Sequence, residues 1–171
     1  MTRIDKIKNI SFLIDVLYLC LQKYPNMVLC IVGEGSDSFK VKKKANLLGI
    51  SENVLFLGEH SDINGFLNMF DIFLFSSLHE GLGISVLEAI CTGLPCIINI
   101  DLPEELSVND LVIREKLEPV LWKKKIEYIL EEKKTVRNTL SNDIAKAGFG
   151  IRQNTHKWQK FYASIVQQHN L

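Results

Sequence analysis

The residues His79-Glu80-Gly81-Leu82-Gly83 join an apolar run to a helix-like segment that starts at Ile84. Two glycines at a helix start let the backbone come close to a ligand. The unpaired N–H groups there, with the positive end of the helix dipole, suit a phosphate or a sugar-phosphate oxygen. Glu80 lies in the turn, and Glu88 follows eight positions later among Val86, Leu87 and Ala89. A carboxylate in so apolar a stretch is costly without a donor, and sugar hydroxyls are ready donors. Eight helical positions span about 12 Å, which fits two ends of one long ligand. A glycosidase acid/base pair would stand closer, at ~5–10 Å. Arg3 and Lys8 form a third element just before the first helix. Two such cations can hold a diphosphate by charge-assisted bonds of ~1.5–3 kcal/mol each. Each piece taken alone also has a plainer reading: a tight turn, an exposed helix position, a pair of solvated lysine-like charges.

The elements that must position these residues alternate. Residues 10–23 read as a helix covered on both sides, stopped by Pro25-Asn26, and MVLCIV (27–32) as a buried parallel strand ended by Gly33-Glu34-Gly35. A basic-faced helix over 37–48 ends at Gly49, and NVLFLG (53–58) is a second strand. A short helix over 61–69, capped by Ser61 or Asp62, leads to the strand 71–77. A helix over 84–93 with Gly93 as its stop and a strand over 94–100 follow. An edge strand is expected over 110–114 and helices over 119–132, 135–147 and 152–168, with Gly148 and Gly150 between the last two. Strands and helices alternating on short connections predict a Rossmann-like α/β fold, a doubly wound parallel sheet with a helical C-terminal tail. Ligands then sit at the carboxyl ends of the strands.

Composition narrows the function classes. The chain has 171 residues, 20 Lys+Arg against 20 Asp+Glu, and 47% hydrophobic residues. That length gives one domain, about 1–118 as βα units and 119–171 as helices. The apolar fraction excludes disorder. Four cysteines without a CxxC read as reduced core thiols: Cys20, Cys30, Cys91 and Cys96. Residues 1–85 carry eight basic against nine acidic side chains, so neither half offers the basic field that nucleic acid needs. His60, His79, His156 and His169 lack zinc spacing, so no metal is expected, and His79 neighbours Glu80 closely enough to line its pocket. MTRIDKIKN is not a secretory leader, and no run reaches the ~20 apolar residues of a membrane span. A cytoplasmic protein is expected.

Together these residues resemble the C-terminal, donor-binding domain of GT-B fold glycosyltransferases, specifically glycosyltransferase family 4. TRIDKIKN (2–9) is similar to the family's Gly-Arg…Lys-Asn entry. KYPNMVLCIVGEGSD (23–37) is similar to its strand and glycine loop. The stretch 53–97 resembles the family consensus, including two glutamates separated by seven residues, here Glu80 and Glu88. The resemblance implies transfer of a hexose from a nucleotide-diphosphate sugar, expected to be a UDP-sugar, with retention of configuration and no metal or other cofactor. By it, Arg3 and Lys8 would neutralise the diphosphate and the charge developing on the leaving group. Glu80 would contact the transferred sugar, and Glu88 the ribose. The backbone from Gly81 through Leu82 and Gly83 to Ile84 would bind sugar and phosphate oxygens. Gly33 and Gly35 would belong to the substrate-binding loops, and Gly58 to the 56–60 backbone near the base, with Ser61-Asp62 contributing.

Three departures accompany the resemblance. Essentially nothing precedes Thr2, so the family's first strand is expected to be missing. The N-terminal acceptor domain is expected to be absent, leaving half an enzyme that turns over little donor alone. The usual Gly-Gly loop is replaced by NIDLPEEL (99–106), similar to a variant among capsule and exopolysaccharide enzymes. Peripheral membrane association of the full enzyme is a further expectation. So is an apolar stripe on 152–168, formed by Trp158, Phe161, Tyr162, Ile165 and Val166. Two other classes stay open: a non-catalytic scaffold of the same fold, and a sugar-nucleotide epimerase.

Overall fold

The structure is a computed structural model, and it describes residues 3–132, 145–149 and 151–169. Helix α1 (Ile10–Cys20) is followed by strand β1 (Leu29–Val32), α2 (Ser38–Leu47) and β2 (Val54–Gly58). Then come α3 (Ile63–Met69), β3 (Phe73–Phe75), α4 (Ile84–Cys91), β4 (Cys96–Asn99) and β5 (Val112–Glu115). Helix α5 (Pro119–Glu131) and, after a wide turn at Ala145–Phe149, helix α6 (Ile151–His169) complete the order. The helix expected over 135–147 lies for the most part outside the described residues, as does Gly150.

Among the described residues all paired strands run parallel, in two sheets: β1 with β2, and β3-β4-β5 with β4 in the centre. Leu29 stands opposite Val54, Phe73 opposite Cys96, and Cys96 opposite Val112. Strand β4 is buried along its whole length and shows how the layers form. Its alternate side chains enter two different cores. Ile97 packs with α1 and α5, whereas Cys96 and Ile98 pack with α4. Helices thus cover both faces, as the Rossmann-like expectation requires. The α1 side is fixed by Trp122, fully buried, with its ring edge-on to Phe12 at 5.1 Å and its Nε1–H donated to the Lys116 carbonyl at 2.8 Å.

Some expectations shift. Strand β1 is shorter than 27–32 and only half-buried, because one of its edges opens onto a cavity rather than onto another strand. Asp62, not Ser61, caps α3, its Oδ1 accepting the Gly65 N–H at 2.9 Å. Of the four thiols, Cys20 and Cys96 are buried, but Cys30 and Cys91 are half-buried, Cys30 on the same opened strand. Burial pushes the Cys20 thiol up to about 11 and also raises those of Cys96, Cys30 and Cys91. On α6, Trp158, Phe161 and Tyr162 are exposed and pack on one another, as the stripe predicted. Ile165 is half-buried.

Candidate functional site

The loops at the carboxyl ends of the strands meet in a cleft of about 440 Å³. It is lined by Lys8, Ile63, Glu80, Leu82, Gly83, Ile84, Ser85 and Glu88. Residues from three separate stretches therefore converge where an open α/β sheet binds its ligands.

Local structure explains each placement. Asn9 takes a left-handed conformation (φ 51°) at the start of α1, the single non-glycine residue with positive φ among those described. That turn sends Lys8 back over the strand ends. The Lys8 N–H is held by Asp5 Oδ1 at 3.0 Å, and the carbonyls of Lys8 and Asn9 accept from Ser76 Oγ at 3.1 and 3.2 Å. Ser76 directly follows β3, so the first segment is tied to the strand that delivers Glu80. The Lys8 ammonium lies 5.3 Å from the centre of the Phe75 ring and pairs with the Glu80 carboxylate. Both partners are largely shielded, with side chains 18% and 15% exposed, so the pair is screened far less than a surface one.

Gly83 begins α4 in a left-handed conformation (φ 61°) that an L side chain resists. A Cβ there would also stand 2.9 Å from Leu106 Cδ1. The Val86 N–H already donates to the Gly83 carbonyl at 2.9 Å, which leaves the N–H groups of Ile84 and Ser85, two residues of the cleft wall, without a partner within the helix. Nothing crowds Gly81, so space in front of the turn stays open. Glu88 is exposed between buried Leu87 and Ala89, and lines the cleft two turns further along α4.

The structure brings together Lys8, Glu80, Leu82, Gly83, Ile84 and Glu88 of the residues singled out from sequence. Arg3 stands apart: its side chain is 79% exposed and lies 3.5 Å from Asp5 Oδ2. Gly33, Gly35, Gly58 and Gly81 do not line the cleft. Gly33 donates to the Gly58 carbonyl at 2.7 Å, bridging the carboxyl ends of the parallel strands β1 and β2, and Gly35 lies against the Ile4 backbone, which a Cβ would strike. His79 is exposed and outside the cleft lining, because the chain turns to aim Glu80 inward instead. His60 Nε2 sits 2.8 Å from the Leu57 carbonyl, its ring tilted on Phe66.

Sequence reasoning missed Ile63 and Ser85 in the lining, and Arg114 behind it. The Arg114 guanidinium donates to the carbonyls of Pro103 at 3.0 Å and Ile100 at 2.6 Å, and also to that of Leu102. It thereby fixes the 100–107 loop that places Leu106 against Gly83. No local signal in the sequence marks it, because its partners are main-chain carbonyls. Among the described residues no cluster of three His, Cys, Asp or Glu side chains could hold a metal ion. Nor is any described helix long and apolar enough to cross a membrane.

The chain is similar to several known proteins. It is 28% identical over 172 residues to the putative glycosyltransferase EpsF of Bacillus subtilis, covering 98% of this chain and 45% of that protein. It is 35% identical over 119 residues to the uncharacterized glycosyltransferase MJ1059 of Methanocaldococcus jannaschii, covering 68% of this chain and 29% of that protein. The chain thus spans less than half the length of these curated relatives. Among solved structures, Anabaena Alr3699/HepE in complex with UDP superposes with a TM-score of 0.80 at 20% identity, over 96% of this chain and 47% of that one. The pneumococcal O-GlcNAc transferase GtfA in complex with UDP and GlcNAc gives 0.79 at 20% identity, over 96% and 34%. That likeness shows a shared fold. Residues 1–147 match the family described as glycosyl transferases group 1, and the chain belongs to that family.

Proposed function

We propose that this chain is the donor-binding portion of a retaining, family 4 glycosyltransferase that moves a hexose from a UDP-sugar onto a glycan or lipid-linked acceptor during polysaccharide synthesis. One observation carries the reading: Lys8, Glu80 and Glu88 meet the start of α4 in a single cleft at the carboxyl ends of the strands. The UDP complexes of Alr3699/HepE and GtfA support a nucleotide donor of this kind. The Vi polysaccharide biosynthesis protein VipC/TviE of Salmonella typhi, 34% identical over 90 residues, supports a polysaccharide role. Retention of configuration and family 4 membership rest on the motif resemblance.

In this reading the diphosphate lies between Lys8 and the free N–H groups of α4. A lysine ammonium has three donors, so Lys8 can keep Glu80 while binding a phosphate oxygen. Arg3, on the exposed flank of the same segment, joins it by a change of rotamer. As the sugar–phosphate bond breaks, negative charge gathers on the leaving diphosphate. Fixed cations and amides stabilise that charge without moving a proton, so no metal is required. Glu80, aimed by Lys8, takes the sugar hydroxyls, and Glu88 takes the ribose two turns away. The acceptor is held by an N-terminal domain, so the 171 residues alone transfer little sugar. The enzyme works in the cytoplasm, against the membrane when its acceptor is lipid-linked.

Calorimetry with UDP, GDP and ADP, with and without the attached sugar and in the presence of EDTA, tests this. UDP binding that survives EDTA is expected. Failure of all three nucleotides to bind the folded chain overturns the reading, and loss of binding in EDTA overturns its metal-free part.

A further inference from the structure

We propose that Asn99 is the positioning residue of the Glu80 turn, and that the clamp it closes sets the preference for a sugar-bearing donor over the bare nucleotide. The inference rests on the donor reading above and adds to it a residue that lies outside the cleft lining. Among the described residues, the buried polar side chains are Ser76, Ser77 and Asn99. All three gather where β3 and β4 end, behind the turn that carries Glu80. Strand β4 is apolar up to that point, with Ile97 and Ile98 fully buried, so packing alone gives no reason for an amide. An amide buried there is costly unless it is hydrogen-bonded.

Both ends of the amide are paired, each to a different loop. Asn99 Nδ2 donates to the Ser77 carbonyl at 3.0 Å, and Asn99 Oδ1 accepts the Asp101 N–H at 3.2 Å. Turned over, the amide would set donor against donor and oxygen against oxygen, so the chemistry fixes its orientation. The bond to Asp101 is a local turn that Ser or Asp would also make. The bond to Ser77 reaches back 22 positions. Making both at once takes a donor and an acceptor on one short stem, which asparagine has.

The two bonds close a circuit around the turn. Asn99 holds residues 77–83 at their first member, three positions before Glu80. Leu106, on the loop that Asn99 starts and Arg114 fastens, stands against Gly83 at their last. On the opposite flank, Ser76 Oγ donates to the carbonyls of Lys8 and Asn9, and the Leu78 N–H to that of Ile7 at 2.8 Å. Glu80 thus has its backbone fixed from the β4 loop and its charge fixed by Lys8. Without Asn99 the turn keeps the ion pair and loses the frame that gives the pair one direction. Lys8 itself is anchored through Asp5 and Ser76, so the diphosphate keeps its cation.

The test uses Asn99→Leu, which keeps the branched shape without donor or acceptor. It also uses Asn99→Ser, whose hydroxyl keeps the Asp101 turn and is too short to reach Ser77. Ser77→Ala removes a buried hydroxyl that has no hydrogen-bond partner and leaves the carbonyl, so it controls for damage at the same depth. Amide hydrogen exchange is read at 78–83 and at Asp101 in the ligand-free chains. Calorimetry gives affinities for UDP, UDP-glucose, UDP-galactose and UDP-N-acetylglucosamine. We expect exchange at 78–83 to quicken about tenfold in both Asn99 variants, and at Asp101 in Asn99→Leu alone. Ser77→Ala should match the native chain. The preference for the best UDP-sugar over UDP should fall roughly fivefold or more, while UDP affinity changes less than about threefold. In a Glu80→Gln background the Asn99 changes should remove no further preference, since Asn99 acts through Glu80. A residue that serves stability alone would weaken UDP and UDP-sugar equally in both backgrounds. Such equal losses overturn the proposal, as does unchanged exchange at 78–83 in both Asn99 variants. A native chain that binds UDP and every UDP-sugar equally overturns the link to the sugar. Should Asn99→Leu not fold, Asn99→Ser carries the same comparison. A native chain that binds no nucleotide fails the donor reading, and exchange in the ligand-free chains then decides whether Asn99 positions the turn.

Discussion

Lys8 and Glu80, separated by 72 positions in the chain, form a shielded ion pair in the wall of the cleft, and in the proposed reading they divide one ligand between them. Lys8→Gln removes the cation and leaves the side-chain volume almost unchanged. Losing one charge-assisted contact of ~1.5–3 kcal/mol should weaken UDP binding roughly 10- to 100-fold. Glu80→Gln, by contrast, should leave UDP affinity nearly unchanged and erase the preference for the sugar-bearing donor. Calorimetry with UDP and UDP-sugar on both variants reads the split; equal losses for both ligands in both variants would show that the two residues do not divide the work.

Gly83 is the position where backbone and packing both forbid a side chain. Gly83→Ala adds a Cβ at φ 61° and presses it to 2.9 Å from Leu106. The strain is about 1–3 kcal/mol, so thermal unfolding should move down by roughly 3–10 °C. Pairing the change with Leu106→Ala relieves the clash but not the φ, and recovery should therefore be partial.

Arg114 holds three carbonyls of the loop after β4. In Arg114→Met the stem is kept and the donors are lost. Limited proteolysis should then cut within 100–107 well before other loops. A melting temperature lowered by several degrees should accompany it, given ~1–3 kcal/mol for each group left unpaired. An uncut loop would mean that Leu102 and Leu106 anchor it without help.

The Cys20 thiol sets an alkaline limit. Its ordinary value of 9.0 is raised to about 11 by burial in the folded chain. The unfolded chain loses that proton first, so the stabilisation is fully present below pH 9 and is lost as pH rises through 11. Stability should fall more steeply between pH 9 and 11 in the native chain than in Cys20→Ala. Parallel urea midpoints for the two chains across that range would remove Cys20 from the account.

Much of the frame was legible in the residues themselves. Pro25-Asn26, Gly49 and Gly93 punctuate the chain where helices stop, and the apolar runs between them became parallel strands. The turn at 79–83 was legible as a strand-to-helix turn because glycine is the residue that takes the positive φ found at Gly83. Contacts distant in sequence were not legible. Nothing local says that Lys8 pairs with Glu80, because the left-handed turn at Asn9 that sends it there falls on an ordinary asparagine. Arg3 and Lys8 look equivalent in the sequence, yet one faces the cleft and the other is held out beside Asp5. Strand β1 reads as central and is half-buried, since an apolar run does not say whether its neighbours are present. Arg114 was invisible because its partners are carbonyls, which every residue has.

The start of α4 meets the cleft through main-chain N–H groups, and every amino acid except proline has one. Side chains at Leu82, Ile84 and Ser85 can therefore be exchanged over generations without removing those donors. In the proposed donor reading, anion recognition at this corner is inherited with the backbone, while the surrounding side chains stay open to drift.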